Sequence, residues 1–268
     1  MHKKIESEEL KSIQLDILKK FADFCDENGF RYFLAYGTLL GAVRHKGYIP
    51  WDDDIDIVMP RPDYMQLIEV FDQKCPYKNL EIVSFYKNKN CPYTHVKITD
   101  NTTCLIENSL IDFPIGVNID IFPMEGLPIS LAKLKKLMNK ITYLHRKLVL
   151  KSLTYRKERT WYKNALLFFA RIAQFFTDYR SLVKKIDDLS RTYEYESSEF
   201  VAVCVMGEGI SERTHSKYFV NLEKIEFEGL KMKVPVGRHE WLLNVFGDYM
   251  QGPPVADRVS NHSFYAYV

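Results

Sequence analysis

Apolar positions recur at helical spacing near the start of the chain. Leu10, Ile13, Ile17, Leu18, Phe21, Phe24 and Cys25 fall on one face of residues 8–27, and Asn28-Gly29 supplies a stop. Arg31–Tyr36 is a short apolar and aromatic run that predicts a buried strand, broken by Gly37-Thr38. Leu39–Arg44 predicts a short helix, His45–Asp53 a loop with Gly47 and Pro50, and Asp54–Met59 a strand. Arg61–Phe71, with Pro62 in its first turn, predicts a helix. Strand-like runs follow at Leu80–Phe85, Tyr93–Ile98, Thr103–Glu107 and Val117–Phe122, the last closed by Pro123. This order predicts an α/β (α+β) fold with a mixed sheet of five or six strands.

The pattern changes after Pro128. Leu131, Leu134, Leu137, Met138, Ile141, Leu144 and Leu148 form an apolar stripe at three-to-four spacing, so an amphipathic helix is expected. Two more helices are expected near 160–176 and 179–195, strands near 199–205 and 224–235, and a last helix over 238–246 ending at Gly247. The final twenty residues read as an ordered aromatic tail. The chain therefore divides into a core at 1–128, a helical insertion at 129–198, and a segment at 199–268 that completes the core.

Composition sharpens the picture. With 268 residues, 46% hydrophobic and 27% charged, the chain is globular in character. The net charge of +2 argues against a general nucleic-acid coat. It hides an asymmetry, because residues 133–163 hold eleven Lys or Arg and one acid, Glu158. Five scattered cysteines form no C-x-x-C pair, which disfavours a zinc site or disulfide framework and suits a reducing, cytoplasmic setting. No apolar signal region follows Met1 and no run is long enough to span a bilayer. His215, His239 and His262 lack metal-ligand spacing, and no G-x-S-x-G or H-E-x-x-H motif is present.

The chemistry concentrates in Trp51-Asp52-Asp53-Asp54-Ile55-Asp56-Ile57-Val58. Strand alternation projects Asp54 and Asp56 to one face and Ile55 and Ile57 into the core. Two such carboxylates repel unless a cation lies between them, and an oxygen-only set favours a hard cation such as Mg²⁺ or Mn²⁺. Gly37-Thr38 ends one strand and opens a helix, where backbone can approach a phosphate. Asp120, inside the apolar strand Asn118–Phe122, is a natural third carboxylate, as metal ligand or as base.

The run from Tyr36-Gly37-Thr38-Leu39-Leu40-Gly41 through Arg44-His45-Lys46-Gly47 to Trp51-Asp52-Asp53-Asp54-Ile55-Asp56 strongly resembles the LicD family of phosphocholine and related phosphotransferases, distantly fukutin-like, within the nucleotidyltransferase superfamily. The likeness continues through Met59–Tyr64 and Asp120–Pro123, and resumes at Phe246–Met250 with Pro253-Pro254 and Arg258; residues 130–220 share only helical character. The resemblance implies a metal-dependent transferase with a CDP-choline or related CDP-alcohol donor. The implied acceptor is a hydroxyl on a teichoic acid, lipopolysaccharide or capsule precursor.

Asp54, Asp56 and Asp120 are then the expected metal-binding and catalytic residues. Asp52 and Asp53 shape the loop. Gly37, Thr38, Arg44, His45, Lys46 and Lys97 are candidates for donor phosphates, and Trp51 and Tyr249 for the cationic choline head. The basic helices suggest peripheral contact with the inner face of a membrane. Three rival readings remain at this point. One is a glycosyltransferase, although its D-x-D normally follows a nucleotide-binding half. Another is a nucleotidyltransferase moving CMP. The third is a non-catalytic binding module that would keep its affinity when Mg²⁺ is chelated.

Overall fold

A computed structural model describes residues 3–154, 160–207, 210–254, 258 and 264–268. Helix α1 (Ser7–Glu27) buries the stripe read from the sequence, with Ile17, Leu18, Phe21 and Phe24 almost fully covered. Strand β1 (Phe33–Leu34) and helix α2 (Tyr36–His45) follow, then β2 (Asp56–Pro60) and α3 (Arg61–Lys74), with Pro62 in the first turn. Strands β3 (Leu80–Val83), β4 (Val96–Asp100), β5 (Cys104–Glu107) and β6 (Asn118–Leu127) complete the N-terminal part. Helices α4 (Leu131–Ser152), α5 (Trp161–Ala173) and α6 (Tyr179–Ser190) come next. The remainder holds β7 (Phe200–Val203), β8 (Thr214–His215), β9 (Leu222–Phe227), β10 (Leu230–Pro235), α7 (Arg238–Phe246) and β11 (Phe264–Tyr267). His262 and the basic residues Arg156, Lys157 and Arg159 lie outside the described residues.

Seven strands form one mixed sheet, with β1-β2-β6-β4-β3 in order and β7 and β8 continuing from the far end of β6. Strands β2 and β6 are parallel, while β4 and β7 run antiparallel to β6. This seven-strand mixed sheet with helices is the α+β class expected.

Three expectations are corrected. Pro123 does not close its strand, which runs on to Leu127. The β4 pairing ends at Ile121 and the β7 pairing begins at Met124, so the missing N–H of Pro123 falls in a gap between two partners. Cys104–Glu107 leaves the main sheet and pairs with β11 instead. The span 224–235 is a hairpin, turned at Glu228-Gly229, both in the left-handed region that such a two-residue turn demands.

One hydrophobic cluster draws on all parts of the chain, from Phe21 and Ile57 through Ile141 and Ile186 to Trp241. Phe24 of α1 meets Phe71 of α3 edge-on at 5.1 Å. A buried ionic cluster ties α3, β6 and α6 together. The Arg61 guanidinium donates to Glu125 from Nε at 2.8 Å, and its Nη1 lies 3.0 Å from Asp187 Oδ1.

Candidate active site

The loop between α2 and β2 is fixed from two sides. Gln14, buried on α1, donates from Nε2 to the Asp53 carbonyl at 2.9 Å and accepts from the Tyr48 hydroxyl at 3.2 Å. From the hairpin, Glu228 accepts the Tyr48 N–H at 2.9 Å and donates its own N–H to the Lys46 carbonyl at 2.8 Å. The loop then enters β2 with alternation already set. Asp52, Asp54 and Asp56 face a cleft of about 590 Å³, while Ile55 and Ile57 are fully buried. Asp54 itself precedes the strand, which starts at Asp56.

Register brings the third carboxylate into place. Asp56 pairs with Asp120 across parallel β2 and β6, and Asp120 pairs with Lys97 across β6 and β4. Lys97 Nζ donates to Asp120 Oδ1 at 2.6 Å and to Asn118 Oδ1 at 3.2 Å. His95 Nε2 lies 3.2 Å from Asp120 Oδ2, and its ring packs against Phe122 at 4.4 Å. Lys97 is therefore neither an edge residue nor open to solvent. It is buried, with its ammonium committed to Asp120.

Electrostatics divides the carboxylates. Burial pushes the Asp56 carboxyl well above its usual range, and Asp54, Asp120 and Asp52 push the same way against Lys97. Burial also works to raise Asp120, but Lys97 and His95 outweigh it and hold that carboxyl well below the usual range. Lys97 in turn is raised, because Asp120 and Glu107 overcome the cost of burial. The site thus holds one firmly ionised carboxylate beside one that resists ionising without added positive charge.

The N-terminus of α2 opens on the same cleft. Thr38 Oγ1 accepts the Asp56 N–H at 2.9 Å, locking helix to strand. Gly37 makes room for a neighbour, since a Cβ there would lie 2.5 Å from Asp52 Oδ2. Tyr36 lines the wall with φ of +43°, unusual for a side-chain-bearing residue, and its hydroxyl donates to the Glu212 carboxylate at 3.0 Å. Trp51, Phe122, Met206 and Phe246 supply apolar wall. A second cavity of about 350 Å³, between the 92–95 segment that precedes β4 and the C-terminal half of α4, shares His95 and Met206 with the cleft.

The other expected residues are dispersed. Arg44 and His45 close the C-terminal turn of α2, and Lys46 caps it with φ of +60°. None of the three lines the cleft. Arg44 donates instead to the Tyr249 carbonyl at 2.9 Å. Tyr249 is buried with its hydroxyl 2.8 Å from His239 Nδ1, away from the cleft wall. Trp51 is in the wall, with the Arg258 guanidinium 5.3 Å from its ring centre. Sequence reasoning did not single out His95 or Glu212 for the site. Strand alternation with Lys97 was the one signal for His95, and Glu212 gave none.

The donor set suits a hard cation. All its charged ligand atoms are carboxylate oxygens, and Asp56 is a buried carboxyl whose ionisation a cation would favour. Asp54 and Asp56 both line the cleft. Among the described residues, Asp52, Asp53 and Asp54 have carboxylate oxygens all within 4.8 Å of one another, an oxygen-only group that shares Asp54 with the expected set but not Asp56 or Asp120.

A family model for the LicD/FKTN/FKRP nucleotidyltransferase domain matches residues 29–126, which hold Asp52, Asp54, Asp56, His95, Lys97 and Asp120. Over 279 aligned residues the chain is 29% identical to the lipopolysaccharide cholinephosphotransferase LicD of Haemophilus influenzae, covering 99% of each. An uncharacterised protein of Rickettsia typhi is 33% identical over 104 residues, 33% of each chain. One from Rickettsia prowazekii is 32% identical over 100 residues, 31% of this chain and 38% of that one. The aspartates of the cleft thus lie inside the segment that matches the LicD/FKTN/FKRP nucleotidyltransferase domain, and the likeness to a LicD enzyme runs the length of the chain.

Proposed function

We propose that this protein transfers phosphocholine, or a related phospho-alcohol, from a CDP-linked donor to a hydroxyl of a cell-surface glycan precursor such as lipopolysaccharide. The observation that carries the reading is the register of Asp56 against Asp120, beside Asp54, at the floor of a cleft that the α2 N-terminus also faces. The reaction class is supported by the cholinephosphotransferase relative.

In this reading Asp54 and Asp56 hold Mg²⁺ or Mn²⁺, which when bound neutralises charge on the donor phosphates. The backbone at Gly37 and Thr38 offers helix-terminal N–H groups to the same oxygens. The acceptor oxygen forms a bond to the phosphorus that carries choline, the bond from that phosphorus to CMP breaks, and CMP leaves. The acceptor proton departs toward the Asp120–His95 pair. Asp120 is a weak base while Lys97 holds it ionised, so its main role is to orient His95 and to fix negative charge at the floor. Trp51, Tyr36, Phe122 and Phe246 are the aromatic faces near enough to meet a quaternary ammonium. A lipid-borne acceptor would be met by peripheral contact with a membrane surface; among the described residues no helix is long and apolar enough to cross one.

The test is incubation with CDP-choline, Mg²⁺ and a lipopolysaccharide acceptor. Release of CMP and a phosphocholine mass increment on the glycan are expected. Transfer of a CMP moiety, or UDP release from a sugar nucleotide, would refute the reading.

A further inference from the structure

Helix α5 is built inside out. An ordinary surface helix turns its apolar stripe inward and its polar residues to water. Here Leu167 and Gln174 are buried and Asn164 and Arg171 half-buried, at spacings of three or four that define the inward face. That face is largely polar and is tied to the end of α4. Lys151 Nζ donates to the Gln174 carbonyl at 2.5 Å, and Arg171 donates to the Leu153 carbonyl.

The opposite face carries Trp161, Leu166, Phe169, Ile172 and, just past the helix, Phe175 and Phe176. These six side chains are between 57% and 96% exposed. The ring contacts on this face run between sequence neighbours, such as Trp161 with Tyr162 and Phe175 with Phe176. A contiguous apolar face of this kind marks an interaction surface.

Charge selects the occupant. The described residues from Leu131 to Thr177 include nine Lys or Arg and no Asp or Glu. Lys133, Lys136, Lys140 and Lys163 are exposed. A second copy would bring two such basic faces together, which repel. A soluble polyanion would engage the lysines but leave the aromatic face in water. An anionic bilayer surface answers both, taking aromatic side chains at the headgroup boundary and lysines against its negative potential.

We propose that α5, with the basic face of α4, docks this protein on the surface of an anionic lipid bilayer. The docking rests on the peripheral contact proposed above and is independent of the reaction. The 13-residue helix is about 20 Å long, too short to span a bilayer core of about 30 Å, so it lies in the interface.

The experiment floats the full chain with phosphatidylcholine vesicles, with and without phosphatidylglycerol, at low and high salt. Co-flotation with anionic vesicles at low salt, release at high salt, and a blue shift of Trp emission that Trp161→Phe abolishes are expected. The triple variant Phe169→Ser, Phe175→Ser, Phe176→Ser should weaken partitioning by about tenfold or more. The charge reversal of Lys133, Lys136, Lys140 and Lys163 to Glu should weaken it by about as much. Both should keep the wild-type melting temperature and transfer to a short soluble acceptor at the wild-type rate. Equal flotation with neutral and anionic vesicles, no change in Trp emission, or a dimer by light scattering that the Ser variant dissolves would each overturn the proposal. Flotation without any transfer activity would leave the docking standing and remove the reading of the reaction.

Discussion

Lys97→Met removes the cation on which the carboxylate floor depends. In the wild type its ammonium lies 2.6 Å from Asp120 Oδ1, with Lys97 buried and the Asp120 side chain 18% exposed. At an effective dielectric constant of about 20, that separation gives a gross attraction of about 6 kcal/mol, most of it offset by desolvation. Breaking a buried pair by removing one partner costs about 3–5 kcal/mol. Because Asp120 keeps some contact with solvent, the lower end applies, about 3 kcal/mol. In a chain of this size that is a fall of about 6–12 °C in melting temperature. The pH dependence has a definite sign. Asp120 is depressed in the folded state, so its contribution is present above the unfolded carboxylate value and lost as the pH falls through the folded one. Lys97 is raised, so its contribution persists below the unfolded ammonium value and is lost only at higher pH. The gap between wild type and variant is therefore widest from about pH 4 to pH 10 and narrows on acidification. Thermal melts by circular dichroism in chelator would measure it, and added Mg²⁺ should narrow the gap by supplying a replacement cation. A variant melting within about 2 °C of wild type in chelator near neutral pH would refute the assignment of Lys97 as the counter-charge.

Three further outcomes are expected. Asp56→Asn should lower transfer by about a hundredfold or more, yet melt at or above the wild-type temperature in chelator, because a carboxyl raised in the folded state costs stability as pH rises past its unfolded value; activity within about tenfold of wild type would contradict its role. Arg61→Met should cost about 3–5 kcal/mol in urea unfolding, by stranding Glu125 and leaving Asp187 to Tyr86 and Arg191, and Glu125→Gln added to it should recover part of the loss. Gly41→Ala should cost about 1–3 kcal/mol, because its Cβ would sit 2.4 Å from the Gly47 carbonyl oxygen in the loop that leads to the aspartates; an unchanged urea midpoint would refute that packing argument.

The elements with strong periods were legible in the sequence. The stripe of α1, the alternation into β2, the Pro-led α3 and the Gly-terminated α7 all fall within a few residues of their expected bounds. What was not legible depends on partners distant in sequence. Pro123 looked like a strand stop because its missing N–H matters only once the neighbours are known, and here no partner needs it. Strand β5 looked like part of the main sheet, but its partner is the C-terminal β11. For α5, spacing placed aromatic residues on the helix but did not say which side faces the protein. The polar anchors Arg171 and Lys151 decide that, through bonds to backbone carbonyls that no periodicity encodes.

The same division runs through the site. Asp54 and Asp56 could be placed on one face because alternation is local, and Asp120 stood out because a carboxylate inside an apolar strand needs a partner. The partner itself came from register. A slip of one residue between β4 and β6 would turn Lys97 and His95 to the opposite face and leave Asp120 without a counter-charge. The antiparallel pairing of Lys97 with Asp120 and the parallel pairing of Asp56 with Asp120 share one central strand, so β6 sets both the repulsion and its compensation. Strand β6 also carries the Glu125 of the ionic cluster, whose bonds to Arg61 anchor its far end to α3. Ordering of the carboxylate floor is thus coupled to how firmly β6 is held between β2, β4 and β7. Substitutions at the Arg61 end are therefore expected to reach the cleft through strand position, although Arg61 does not line it.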